Sequence, residues 1–275
     1  MDVTVTQPAA TQPDASALRR LRQTVSSTWD LLLALTYRDI KTRYQGTVFS
    51  FIWWVARPLA MGLVLYFALG RVLRLSIPNY GVFIMSGLFA WFWFSGAVTG
   101  AAGSIVINGG LIKKMQFPRI VLPLSAVLFH TAQFVLTLPV LTVFVLFSGL
   151  EPSPTWLIGI PMLLVLQVLL LIGLGMLLAP IQVFFRDLGP MLEVVLLLMF
   201  YLTPIIYPLE RVPAQFRPFV LINPAAPLIE AWRQLFVHNE MPGTELWTAA
   251  LAAAIVLVAG VFTFRKLEKY FADAI

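Results

Sequence analysis

The sequence predicts an all-α polytopic membrane protein, and three observations carry that prediction. Hydrophobic residues make up 59% of the 275 positions and charged residues only 12%, where an ordinary soluble domain carries about 25% charged residues. Apolar runs of roughly 20 residues or more recur along the chain, long enough at 1.5 Å per helical residue to cross a hydrocarbon core of ~30 Å. Lys and Arg gather beside these runs, as expected for side chains that settle on anionic headgroups. The net charge of +6 is therefore read as topological, not as a nucleic-acid footprint.

Composition also removes several kinds of chemistry. With no cysteine and only His130 and His238, disulfides, thiolate nucleophiles and cysteine-ligated metals are excluded, and no metal site is expected. No Walker A, nucleophile elbow, H-E-x-x-H motif or pair of carboxylates within a span is present. No catalytic residue is assigned, and no secretory signal is visible because the first 28 residues lack an apolar core.

Residues 1–28 read as a disordered cytoplasmic tail, rich at first in Thr, Gln, Pro and Ala without periodicity. Residues 29–48 read as an amphipathic interface helix. Trp29, Leu33, Tyr37, Ile40 and Tyr44 share one stripe, while Arg38, Asp39, Lys41 and Arg43 charge the opposite side. Leu31, Leu32 and Leu35 break that pattern, and the stretch fits both a lipid-lying anchor and a docking surface for a soluble partner. Six spans follow, roughly 53–72, 80–105, 121–147, 156–184, 188–207 and 246–264.

Polar residues inside these spans are few. Arg57 lies about one turn inside the first, where it either snorkels to the headgroups or faces a channel; Pro58 is placed to kink the helix there. The second span carries the run Trp91-Phe92-Trp93-Phe94 followed by small residues that admit close helix approach. His130 and Gln133, near one turn apart in the third, suit either an interhelical hydrogen bond or a pathway lining. Glu193 near the start of the fifth is favoured by the helix dipole and stays close to water. Between Pro208 and Glu245 the chain is broken by Pro224 and Pro227 and carries Glu230 and Arg233, so it reads as a re-entrant or interfacial helical pair.

Counting cations orients the bundle. One side holds Arg19, Arg20, Arg22, Arg38, Lys41, Arg43, Lys113, Lys114, Arg119, Arg186, Arg265, Lys266 and Lys269, 13 in all, and the other holds Arg71, Arg74, Arg211, Arg217 and Arg233, 5 in all. The excess places both termini, and the Lys113 loop, in the cytoplasm. No internal repeat of the kind used by many secondary transporters is evident.

Four motifs, in this order on a six-span chain, resemble the membrane-spanning subunit of ABC-2-type exporters, in particular those that export O-antigen, related lipid-linked polysaccharides or teichoic acids. They are Arg38-Asp39-Ile40-Lys41-Thr42-Arg43-Tyr44 leading to Phe51-Ile52-Trp53-Trp54; Leu111-Ile112-Lys113-Lys114 with Phe117-Pro118-Arg119; Phe184-Phe185-Arg186-Asp187-Leu188; and Tyr201-Leu202-Thr203-Pro204-Ile205-Ile206-Tyr207-Pro208 followed by Asn223-Pro224. The resemblance makes 29–275 one ABC-2-type transmembrane domain. It implies a homodimer in the bacterial cytoplasmic (inner) membrane, two copies of a separate cytoplasmic ATPase subunit that binds ATP and Mg, no cofactor in this chain, and contacts to membrane lipid and a lipid-linked polysaccharide but not to nucleic acid.

The resemblance also implies residue roles. Leu111, Lys113, Lys114, Met115, Phe117 and Arg119 would form a coupling helix on the ATPase, with Arg186 and Asp187 a second contact. The interface helix, through Arg38, Asp39, Lys41, Arg43 and Tyr44, would gate the lipid-linked substrate. Trp91, Phe92, Trp93, Phe94, Tyr201 and Tyr207 are candidates for stacking on sugar rings, and Arg57 for facing the channel. Two other functions stay open: an ABC-2 exporter of small drugs or lipids, and a polytopic glycan-modifying enzyme using the 210–245 segment with Glu230.

Overall fold

The computed structural model describes residues 28–41, 49–75 and 77–271. The expectations for the 1–27 tail and for Thr42, Arg43 and Tyr44 fall outside those residues. The described chain is helical, without a strand. Helix α1 covers 28–41. It is followed by α2 (Phe49–Leu65), which continues as π-helical turns over Tyr66–Val72, then α3 (Tyr80–Ile107), α4 (Gly109–Lys114), α5 (Val121–Phe147) and α6 (Trp156–Phe184). The chain ends with α7 (Leu188–Leu202), α8 (Arg217–Ile222), α9 (Ala225–Arg233) with a π-helical continuation Gln234–His238, and α10 (Thr244–Leu267).

Five helical stretches among the described residues are long and apolar enough to cross a membrane: Val55–Val72, Tyr80–Lys114, Val121–Phe147, Trp156–Phe184 and Thr244–Tyr270. The fifth predicted span, 188–207, is apolar but shorter. Helix α7 stops at Leu202 after 15 residues, about 22 Å of helix, because Pro204 has no N–H to offer and its ring disfavours helical geometry at Thr203. Thr203 is extended, with ψ 140°.

Helix α3 is apolar on every side and is the buried axis of the bundle. Helices α2, α5, α6, α7 and α9 all pack on it. Helices α6 and α10 make the closest crossing. A Cβ on Gly173 would lie 2.7 Å from the Leu257 backbone, and one on Gly260 would run into the Gly173 carbonyl oxygen. Small residues earn their place in lipid this way, since backbones that touch gain dispersion contacts that Leu against lipid cannot supply.

The bundle has two cores. The larger joins α3, α5, α6, α7 and α9. The smaller lies at the Lys113 end and brings together Leu32 and Leu35 of α1, Ile105, Val121, Leu122, Met176, Ala179, Val183, Phe264 and Phe271. This explains the apolar residues that break the α1 stripe. Leu32 and Leu35 are 5% and 6% exposed, whereas Trp29, Leu33 and Tyr37 are 56%, 48% and 65% exposed. Helix α1 therefore has two apolar faces, one on the protein and one turned away from it.

At the opposite end, the Pro-broken segment folds as the expected helical pair. Helix α9 is buried along most of its length and packs on α3, α6 and α10.

Candidate functional site

Four helix faces enclose a cleft of about 860 Å³, within the usual range of ~300–1,000 Å³ for ligand sites. Trp53, Arg57, Pro58 and Met61 come from α2; Phe89, Trp91, Phe92, Trp93, Ser95, Gly96 and Thr99 from α3; His130, Phe134 and Thr137 from α5; and Glu193, Leu196, Leu197, Phe200 and Tyr201 from α7. Its floor and rim differ. Trp91, Trp93 and Phe134 are nearly fully buried, whereas Trp53 and Tyr201 are 74% and 57% exposed. Trp93 stacks on Phe134 at 4.4 Å, and Trp91 reaches Phe200 of α7 at 5.9 Å. These ring contacts join α3 to α5 and α7 at the floor.

Arg57, exposed on α2, stands with its guanidinium 5.6 Å from the centre of the Phe92 ring, a cation–π contact. Glu193 lies on the α7 wall, also exposed. The cleft thus presents one guanidinium, one carboxylate and the hydroxyls of Ser95, Thr99 and Thr137 among aromatic faces. His130 is seated in a groove on α3, where a Cβ on Gly96 or Gly100 would approach its ring nitrogens to 2.9 and 2.8 Å.

Of the residues proposed from the sequence to face a channel, Arg57, Trp91, Phe92, Trp93 and Tyr201 meet at this cleft. Phe94 is buried beside Trp91 at 5.5 Å instead. Tyr207 donates its hydroxyl to the Tyr201 and Leu202 carbonyls at 3.1 and 3.0 Å, so it satisfies the end of α7. Trp53, Thr99, Phe134 and Glu193 were not among those candidates, and His130, read from the sequence as either a pathway lining or an interhelical hydrogen bond, also lines the cleft. A signal for Thr99 and Glu193 exists: 92, 95, 96 and 99, and likewise 193, 196, 197, 200 and 201, recur at helical spacing and each set marks one face.

The rest of the Tyr201–Pro208 motif is held from other elements. Arg233, 1% exposed, donates to the carbonyls of Pro204 at 2.6 Å and Ile205 at 3.2 Å and to the Glu230 carboxylate at 2.6 Å. Its guanidinium lies 3.6 Å over the Phe83 ring. Tyr80 donates to the Ile206 carbonyl and Asn223 to the Thr203 hydroxyl. Burial pushes the Glu230 carboxyl up from its ordinary value, and Arg233 opposes that shift. Glu230, one of the carboxylates that an enzyme reading of the 210–245 segment would draw on, is engaged in this lock.

The Lys113 end carries the remaining candidates. Helix α4 and the extended stretch after it expose Lys113, Lys114, Met115 and Gln116, while Leu111, Ile112 and Phe117 are half-buried towards the smaller core. A hollow of about 140 Å³ lies between Ile112, Met115, Gln116, Phe117 and Arg119. Arg119 turns inward: its Nη1 donates to the Glu268 carbonyl at 2.9 Å and its guanidinium lies 5.7 Å from the Phe271 ring centre. Arg38 donates to Asp39 and, at 3.0 Å, to the Asn108 side-chain oxygen. Arg186 and Asp187 form the exposed turn between α6 and α7, and Lys41 is exposed on α1. Among the described residues no three His, Asp or Glu side chains converge to hold a metal ion.

The chain has relatives among known proteins. The chain is 35% identical over 254 residues, 92% of its length and 98% of the other's, to the O-antigen export system permease protein RfbA of Klebsiella pneumoniae. It is 33% identical over 249 residues, 89% of its length and 95% of the other's, to the protein of the same name from Myxococcus xanthus. It is also 25% identical over 239 residues, 86% of its length and 93% of the other's, to the polysialic acid transport protein KpsM of Escherichia coli. Residues 30–237 match the family described as ABC-2 type transporter, and with relatives of this extent the chain belongs to that family.

Proposed function

We propose that this chain is the permease subunit of an exporter that moves a lipid-linked, O-antigen-like polysaccharide across the bacterial cytoplasmic membrane, with ATP and Mg bound by a separate partner subunit. The family works with such an ATPase subunit, and the chain itself is a transport subunit, not an enzyme. The cleft is the observation that carries the reading. Sugar rings offer C–H faces that stack on aromatic side chains and hydroxyls that bond to groups such as Glu193, Thr99 and Arg57. Many such contacts, each modest, let a polymer enter and leave.

Two copies of the chain would enclose the path, since the cleft is open on the single chain and α7 has only Leu196 and Phe200 buried. The cation asymmetry puts both termini, α1 and the Lys113 crest on the cytoplasmic side. Lys113 and Lys114 then meet acidic patches on two ATPase copies, and Met115 supplies an apolar knob.

Deletion of the gene, complemented with variants, tests this. The expected result is loss of surface polysaccharide with lipid-linked polymer retained inside the cell, restored by the wild-type chain. Phe92→Ala, Tyr201→Ala and Glu193→Gln should restore less polymer while the ATPase subunit still co-purifies. Unchanged surface polymer in the deletion strain, with new sensitivity to small toxic compounds, would overturn the reading in favour of drug or lipid export.

A further inference from the structure

We propose that Arg38 and Arg119 are positioning residues that lash the 108–119 segment at its two ends, so that force on its exposed crest is passed to α1 and to the end of α10. The inference rests on the reading of that segment as the contact with the ATPase. Helix α4 has six residues, too few for a helix to be stable unaided, because nucleation outweighs the few bonds gained. A lever of that size transmits force only if something else fixes it.

Both ends are fixed by side chains from distant parts of the chain. At the start, Asn108 donates its Nδ2 to the Ser104 carbonyl at 2.9 Å and accepts from Arg38 Nη2 at 3.0 Å. Arg38 is itself engaged, with Nε and Nη2 both donating to the one Asp39 oxygen Oδ1 at 3.1 and 2.8 Å. At the far end, Arg119 donates to the Glu268 carbonyl in the last turn that follows α10, a carbonyl that also accepts from the Phe271 N–H, and a cation is favoured at such a helix end.

Phe271 completes the far lashing. It is fully buried, lies under the Arg119 guanidinium and packs on Phe264 at 5.8 Å and Phe184 at 6.3 Å. Phe184 leads into the turn that carries Arg186 and Asp187, so the same ring ties both connections at this end of the bundle. Because Arg119 is committed within the chain, Lys113 and Lys114 are left to meet the partner.

The test uses the complete complex of chain and ATPase subunit in liposomes loaded with the lipid-linked polymer. Three quantities are read: ATPase subunit bound, ATP hydrolysed, and polymer moved. Arg119→Gln, Phe271→Ala and the surface variant Arg38→Gln should bind the ATPase subunit normally while ATP hydrolysed per polymer moved rises roughly 2- to 30-fold, the span of typical coupling energies. Arg119→Lys, which keeps a donor and a cation over the ring, should restore the ratio.

Lys113→Glu serves as the reference and should lose the ATPase subunit. If it does, and the three variants keep the wild-type ratio or lose only complex in proportion to transport, the lashing role is overturned while the coupling segment stands. If Lys113→Glu binds and couples normally, the reading of the segment itself fails, and the proposal with it.

Discussion

Arg233 has a guanidinium that is 1% exposed, and a buried cation is tolerable only where acceptors replace its water. It has three: the Glu230 carboxylate on its own helix and two carbonyls on the turn that ends α7. Arg233→Met should therefore cost about 3–5 kcal/mol, the usual loss when one partner of a buried pair is removed. Glu230→Gln should cost less, since an amide oxygen still accepts from Arg233 and the two carbonyls are untouched. Thermal unfolding of the purified variants in lipid nanodiscs gives the order. Equal damage from both would mean that the carboxylate, and not the carbonyl pair, holds the site. In the sequence the Glu230–Arg233 spacing suits a pair on one helix face, but nothing marks this arginine as buried, because its two carbonyl partners lie 28 and 29 positions away and carry no residue signature.

Helices were legible where length and apolar composition decide the outcome, and less so where a partner decides it. The spans at α3, α5, α6 and α10 begin and end near the predicted limits, since water at their ends and lipid along them leave few alternatives. Helix α7 ends earlier than hydropathy implies because Pro204 acts through backbone geometry, which hydropathy does not weigh. The cleft was half legible. Arg57 and the aromatic run stood out as unusual residues, but their convergence with Glu193 and His130 depends on how α2, α5 and α7 pack against α3. The α6–α10 crossing was not visible at all, as Gly173 and Gly260 look like any glycines in an apolar run. Gly173→Ala and Gly260→Ala should each force the two helices apart and cost roughly 1–3 kcal/mol, as overpacking does. Gly110→Ala, with open space around its Cβ, should be neutral or slightly stabilising because alanine favours helix. Denaturation midpoints of the three proteins separate these outcomes, and a harmless Gly260→Ala would show that the crossing is looser than its geometry.

For the whole molecule, the proposed direction of insertion rests on where its cations sit. Arg71, Arg74, Arg211, Arg217 and Arg233 at the Pro204 end stand against the larger group around Lys113. That bias is the basis for proposing that the Lys113 end faces the cytoplasm. The chain has no cysteine, so single cysteines report topology without background. Gln116 and Gln215 are both exposed, at opposite ends of the bundle. Gln215→Cys should react with a membrane-impermeant maleimide on intact spheroplasts, and Gln116→Cys only after permeabilisation. The reverse pattern would put Lys113 and Lys114 outside the cell, beyond reach of any ATP-hydrolysing subunit, and would remove the physical basis for coupling through the 108–119 segment. The expected pattern places that segment, α1 and the buried Phe271 ring on the side where ATP is available.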